Sequence, residues 1–131
     1  MSLAVQDARV ERGAFGLEAS FDAPAEGITV VFGPSGAGKS MLMSAVAGLH
    51  RLARGRVSLG GRVLEDAGAR ERVPAHARGV GLVFQDARLF PHMTVRANLA
   101  YAERRRPADR NAPVVDEMAL RLDLSELVDR P

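Results

Sequence analysis

A glycine-rich segment in the first third of the chain contains the residue types that binding a phosphate group requires. Its eight residues are Gly33, Pro34, Ser35, Gly36, Ala37, Gly38, Lys39 and Ser40. Glycines allow the backbone to fold closely around an anion with several N–H groups pointing inward. A lysine ammonium can reach the outer phosphates of a nucleotide, and a serine hydroxyl is a hard oxygen ligand for Mg²⁺. The spacing therefore predicts a nucleotide phosphate-binding loop.

The lysine of this loop is unusual for the composition of the chain. Lys39 is the only lysine, and all other residues of the Lys and Arg total of 18 are arginines. An ammonium is a compact point charge on a flexible stem, whereas a guanidinium is planar and bulkier. We therefore expect Lys39 to stand where arginine would fit poorly. The alternative is a glycine-rich turn that binds nothing, with Lys39 exposed on the surface.

Such a loop is positioned by a strand before it and a helix after it. Residues 28–32 are apolar or β-branched throughout, which predicts a strand buried on both faces of a parallel sheet. After the loop, apolar residues recur at helical spacing, namely Leu42, Ala45, Val46 and Leu49. Residues 80–84 predict a second buried strand that ends at Gln85. Because ligands bind at the carboxyl ends of parallel strands, Gln85 is expected at the same sheet edge as the loop.

Other segments have their own local signals. Alternation of apolar and polar residues over 17–22 predicts a half-buried strand. Gly60-Gly61 between two short alternating runs predicts a β-hairpin, and residues 66–79 are expected to form a loop. Thr94 is expected to cap a helix, and Pro113 is expected to open another. The predicted fold class is α/β, with an antiparallel hairpin attached to the sheet.

The composition excludes several classes of protein. The chain has 131 residues, 47% hydrophobic residues, a net charge of +2 and no cysteine, which predicts a globular domain without disulfides. Neither a signal peptide at the N-terminus nor an apolar run long enough to span a membrane is recognisable. The small charge, the single tyrosine and the absence of tryptophan argue against a nucleic-acid partner. His50, His76 and His92 lack metal-ligand spacing.

Taken together, the motifs resemble those of the ATP-binding subunits of ABC transporters. Gly33–Ser40 matches the Walker A loop of that family, and residues 83–85 match its Q-loop. Residues 47–49 and 55–57 fall at the family's spacing between these motifs. Within the family, this chain is most similar to subunits that power the import of molybdate, on residues 61–64, 66–67, 85–92, 95–99 and 101. The resemblance implies a P-loop NTPase fold of the ABC ATPase type.

The resemblance also implies roles for individual residues. Gly33–Ser40, together with Met41, should surround the phosphates of ATP. Ser40 and Gln85 should ligate Mg²⁺, with Gln85 contributing to catalysis. Phe15 is the candidate for the aromatic residue that stacks on adenine in this family. The alternative for Phe15 is a core ring beside Leu17.

The partners and location implied by the family concern a membrane complex. Residues 1–84 should form the core with the Walker A loop, and residues 85–131 the Q-loop and the start of a helical subdomain. The surface near Leu89–Met93 should receive the transmembrane permease, although ordinary packing would also explain its apolar residues. A second ATP-binding subunit should complete a dimer at the cytoplasmic face of the inner membrane, where the protein would be peripheral.

Three motifs of the family do not occur in residues 1–131: the Leu-Ser-Gly-Gly-Gln signature, the Walker B strand and the switch histidine. The chain is therefore expected to be the N-terminal part of a subunit, truncated before the signature. The parent would hydrolyse ATP to import molybdate or a related oxyanion, whereas residues 1–131 alone would not hydrolyse it. The alternatives are a small P-loop metabolite kinase and a non-catalytic nucleotide-binding module.

Overall fold

The computed structural model describes residues 1–86, 88–105 and 115–130. The chain divides into two compact units, Met1–Val83 and Phe84–Pro131. This division falls one residue from the expected boundary between core and helical subdomain, and the roles assigned to the two parts stay predictions. Pro113, the expected start of a helix, lies outside the described residues.

An antiparallel sheet of five strands forms most of the first unit. The strands are β1 (Leu3–Arg12), β2 (Phe15–Ala23), β3 (Leu52–Leu59), β4 (Arg62–Asp66) and β5 (Glu71–Arg72). Their order across the sheet is β2-β1-β3-β4-β5. The most buried side chains are those of Val5, Val10, Val57 and Leu64. Helix α1 (Lys39–Val46) contributes Leu42, Ala45 and Val46 to the apolar interior of this unit.

The hairpin predicted at Gly60-Gly61 is confirmed. These residues connect β3 and β4 with φ values of 58° and 80°, as a type I′ turn requires. The loop predicted over residues 66–79 is correct only in part, because it contains β5 and a 3-10 turn at Ala75–Ala77. Asp66 organises its start by accepting bonds from the Gly68 and Ala69 N–H groups. The Ala69 N–H and the Arg56 guanidinium lower the pKa of Asp66.

Strand β1 was not expected from the sequence. Its inward residues are Val5, Ala8 and Val10, so the strict alternation is broken once. The break coincides with a register shift between Val5 and Ala8, where Asp7 takes a positive φ of 44°. A β-bulge adds a residue to one strand and thereby hides the period of two on which sequence recognition relies.

The prediction of buried strands at residues 28–32 and 80–84 is wrong. Neither segment has strand structure, and neither pairs with a strand in the described part of the chain. Ile28, Phe32 and Val83 are 92%, 97% and 96% exposed. An apolar β-branched segment becomes a buried strand only when a neighbouring edge accepts its hydrogen bonds and side chains cover its faces. Composition alone does not supply that edge.

The second unit contains helices α2 (Val95–Glu103) and α3 (Val115–Arg121), which pack against each other. Thr94 caps α2 as predicted, accepting the Ala97 N–H at 3.2 Å. Carbonyls of Val128 and Arg130 accept the N–H groups of Arg96 and Val95. In the described ranges, no helix combines the length and apolar character needed to cross a bilayer.

Candidate functional site

The glycine-rich segment forms a turn that leads directly into α1, as the sequence predicts. Gly36 and Gly38 have φ values of 82° and 90°, a region that glycine adopts without the Cβ strain of other residues. The Ala37 N–H donates to the Pro34 carbonyl at 3.3 Å and closes the turn. The helix begins with the bond from the Leu42 N–H to the Gly38 carbonyl at 2.9 Å.

The start of α1 is suited to an anion. Its N-cap residue is Gly38, which has no side chain to accept the N–H groups of the first turn. The first turn also contains no acidic residue. The first N–H groups of a helix lack intrahelical acceptors and lie at the positive end of its dipole. A phosphate placed at this end would therefore satisfy both the hydrogen-bonding groups and the charge.

The Lys39 ammonium lies within the loop. Its Nζ donates to the carbonyls of Gly33 and Pro34, both at 2.7 Å. The side chain folds back across the loop and does not extend from the surface, which disfavours the alternative of an incidental exposed lysine. An ammonium with three rotatable donors can exchange these carbonyls for phosphate oxygens without moving the helix.

Phe15 lies beside the same loop. It begins β2 and is 44% exposed, so the ring is not fully buried in a core. A Cβ added at Gly38 would stand 3.2 Å from Cε1 of Phe15 and 3.5 Å from Cδ1 of Leu17. The two side chains therefore contact the N-cap of α1 from the same side. The close approach is possible because Gly38 has no side chain, and part of the Phe15 ring stays accessible.

The two expected Mg²⁺ ligands belong to different units. Ser40 is exposed in the first turn of α1, and Gln85 is exposed in a bend of the second unit. Gln85 follows residues 80–84, so its expected position at the end of a buried strand is wrong. A shared metal site of Ser40 and Gln85 stays a prediction.

The segment Leu89–Met93 is held against α2 by a side chain that the sequence did not single out. The Phe90 N–H donates to Oδ1 of Asn98 at 2.9 Å, and Nδ2 of Asn98 donates to the Phe90 carbonyl at 3.2 Å. The Phe90 ring meets the Tyr101 ring edge-on at 4.7 Å between centroids. Leu89 is 63% exposed. Asn98 lies eight residues away from Phe90, so no local pattern identified it.

Comparison with known proteins agrees with these motifs. The sequence profile of the ABC transporter family matches residues 17–131. The chain therefore belongs to the ABC transporter family, and its α/β P-loop fold class is that of the family's ATP-binding domain. This membership disfavours the metabolite-kinase alternative.

Individual proteins of the family are similar to this chain over most of its length. The molybdenum import ATP-binding protein ModC of Rhodopseudomonas palustris (strain HaA2) is 47% identical over 120 residues, which are 90% of this chain and 31% of that protein. ModC of Rhizobium meliloti (strain 1021) is 41% identical over 95% of this chain and 34% of its own length. ModC of Yersinia pestis is 55% identical over 65% of this chain and 24% of its own length. The chain thus spans about a third or less of these relatives.

Proposed function

We propose that residues 33–41 bind the phosphates of ATP. The observation that carries this proposal is the uncapped first turn of α1 with the Lys39 ammonium folded over the loop before it. Backbone N–H groups of the loop and Met41 would hold the anion, and Lys39 would neutralise the outer phosphates. Phe15, which contacts the N-cap at Gly38, would stack its accessible ring face on adenine.

Mg²⁺ is the proposed second component of the bound nucleotide. The hydroxyl of Ser40 and the side-chain oxygen of Gln85 are hard neutral donors of the kind this ion accepts. When bound, Mg²⁺ neutralises charge that develops on the phosphates during transfer. Gln85 would in addition orient the attacking water, because its amide offers both a donor and an acceptor.

For a polypeptide of the relatives' length, we propose an ATPase that powers the import of molybdate or a related oxyanion. Hydrolysis requires carboxylates that hold the metal and polarise the water, and these belong to the family motifs that do not occur in residues 1–131. Leu89–Met93 would receive the transmembrane permease, and a second ATP-binding subunit would close the site. The complex would lie at the cytoplasmic face of the inner membrane.

The proposal is tested by ATP binding to the purified chain, measured by calorimetry in the presence of Mg²⁺. Substitution Lys39→Ala removes charge-assisted bonds worth about 1.5–3 kcal/mol, so affinity should fall at least about tenfold. Arg54→Ala is the matched control, because it removes one positive charge from an exposed side chain of β3. Equal affinities of Lys39→Ala and the unsubstituted chain would reject the phosphate-binding role of residues 33–40.

A further inference from the structure

Arg78 is a buried arginine whose three guanidinium nitrogens all donate hydrogen bonds. Its side chain is 0% exposed. Nη1 donates to the carbonyls of Ala45 and Val46 at 3.0 and 3.1 Å. Nε donates to the Val73 carbonyl at 2.9 Å, and Nη2 donates to Oε2 of Glu65 at 2.5 Å. Arg78 therefore connects the last carbonyls of α1 to strand β4.

Glu65 is the buried carboxylate that holds this guanidinium. It is 3% exposed, and its second oxygen accepts the Leu52 N–H at 2.9 Å where β3 begins. Arg72 lies 3.5 Å from the same carboxylate and donates to the Gly48 carbonyl at 2.7 Å. Two arginines thus meet the carbonyl end of α1, where the helix dipole favours positive charge.

The backbone after α1 passes close to the Arg78 side chain at a glycine. Gly48 has a φ of 85°, and a Cβ added there would stand 2.5 Å from Nε of Arg78. The guanidinium therefore packs directly on the chain that leaves the helix. Because α1 has eight residues and is about 12 Å long, an anchor at its carbonyl end fixes the direction of its other end.

We propose that Arg78 is a positioning residue for the phosphate-binding loop. The Arg78–Glu65 pair ties α1 to the sheet, and the opposite end of α1 carries Gly38, Lys39 and Ser40. Without the pair, the helix shifts or frays, and the first-turn N–H groups and the lysine no longer converge on one phosphate. A small displacement of binding groups strongly weakens their interaction with the ligand, even when the substitution that causes it is remote. This inference rests on the ATP-binding function proposed above.

The test compares Arg78→Met, which removes every donor, with Arg78→Lys, which restores a cation and three donors. Leu64→Ala is the control, because it removes buried apolar volume from the core cluster that includes the end of α1 but leaves the hydrogen-bonding groups of Arg78 and Glu65 in place. Each full-chain variant is measured for affinity toward ATP and toward AMP, which lacks the outer phosphates. Amide hydrogen exchange is recorded in the absence of nucleotide at residues 42–44, the first amides of α1 that can bond within the helix.

We expect Arg78→Met to lose ATP affinity about tenfold relative to Leu64→Ala at equal folded fraction, with AMP affinity changed much less. Exchange at residues 42–44 should rise in Arg78→Met only, and Arg78→Lys should recover part of both effects. Equal ATP affinities and equal exchange in Arg78→Met and Leu64→Ala would overturn the positioning role.

Two further outcomes remain decisive. If Arg78→Met does not fold, the same readouts on Arg78→Lys and Glu65→Gln test the positioning role. Glu65→Gln keeps an acceptor for Arg78 but removes the negative charge. If the unsubstituted chain binds no ATP, the proposed function fails. Exchange at residues 42–44 then still shows whether Arg78 holds the first turns of α1, so the two failures are distinguishable.

Discussion

At the residue scale, the chain uses its two kinds of cation for different tasks. Arg78 makes four hydrogen bonds in fixed directions and is completely buried. Lys39 makes two bonds to loop carbonyls that other acceptors can replace. A rigid fork suits a permanent crosslink, whereas a compact ammonium on a flexible stem suits a ligand that comes and goes.

Phe15 gives a prediction at the same scale. If its ring stacks on adenine, Phe15→Ala should weaken ATP binding by about 1–3 kcal/mol. Phe15→Trp should retain or strengthen binding because it enlarges the stacking face. Calorimetry with ATP measures both, and inorganic triphosphate, which has no base, serves as the control ligand.

A core role for Phe15 gives the opposite pattern. Phe15→Ala would then lower the melting temperature and weaken ATP and triphosphate equally, because the contact with Gly38 would be lost without any change at the base. Equal losses for the two ligands would therefore contradict adenine stacking.

The loop residues could be predicted from the sequence, whereas Arg78 could not. Gly33–Ser40 are adjacent in the chain, and each residue type has a distinct chemical reason. Arg78 lies 33 residues from Ala45 and 13 from Glu65, so its role depends on contacts that only the fold brings together. The hydrogen bonds between Asn98 and Phe90 could not be predicted for the same reason.

At the element scale, predictions succeeded where the signal is local. The Gly60-Gly61 turn, the helix after the loop and the Thr94 cap each follow from residues within one turn of one another. Prediction failed at residues 28–32 and 80–84, because strand formation needs a partner that the segment does not contain. It also failed at β1, where a bulge at Asp7 breaks the alternation.

The Thr94 cap offers a test of one element. Thr94→Ala removes the acceptor of the Ala97 N–H and should destabilise the start of α2 by ~1 kcal/mol. Amide exchange at Ala97 should accelerate accordingly, while Thr94→Ser, which keeps the hydroxyl, should leave exchange nearly unchanged. Unchanged exchange at Ala97 in the alanine variant would show that the cap does not stabilise the helix.

At the scale of the whole chain, the first unit covers its apolar residues unevenly. The first unit has a well-buried sheet interior around Val57 and Leu64, yet Ile28, Val30 and Phe32 are 92%, 77% and 97% exposed. A cavity of about 520 Å³ lies between β2 and residues 29–32, and Lys39 is among the residues that line it. Contiguous exposed apolar residues of this kind are uncommon in isolated domains and mark surfaces that bind other groups.

The exposed segment at residues 28–32 should therefore bind hydrophobic dyes and promote self-association of the purified chain. The double substitution Val30→Ser and Phe32→Ser should lower the fluorescence of bound anilinonaphthalene sulfonate and reduce association in sedimentation experiments. Leu120→Ser is the matched control, because Leu120 is 73% exposed but stands on α3 in the second unit. This control removes one exposed apolar side chain outside residues 28–32, so it should change neither signal. Equal dye binding in the double variant and the control would show that residues 28–32 are covered in solution.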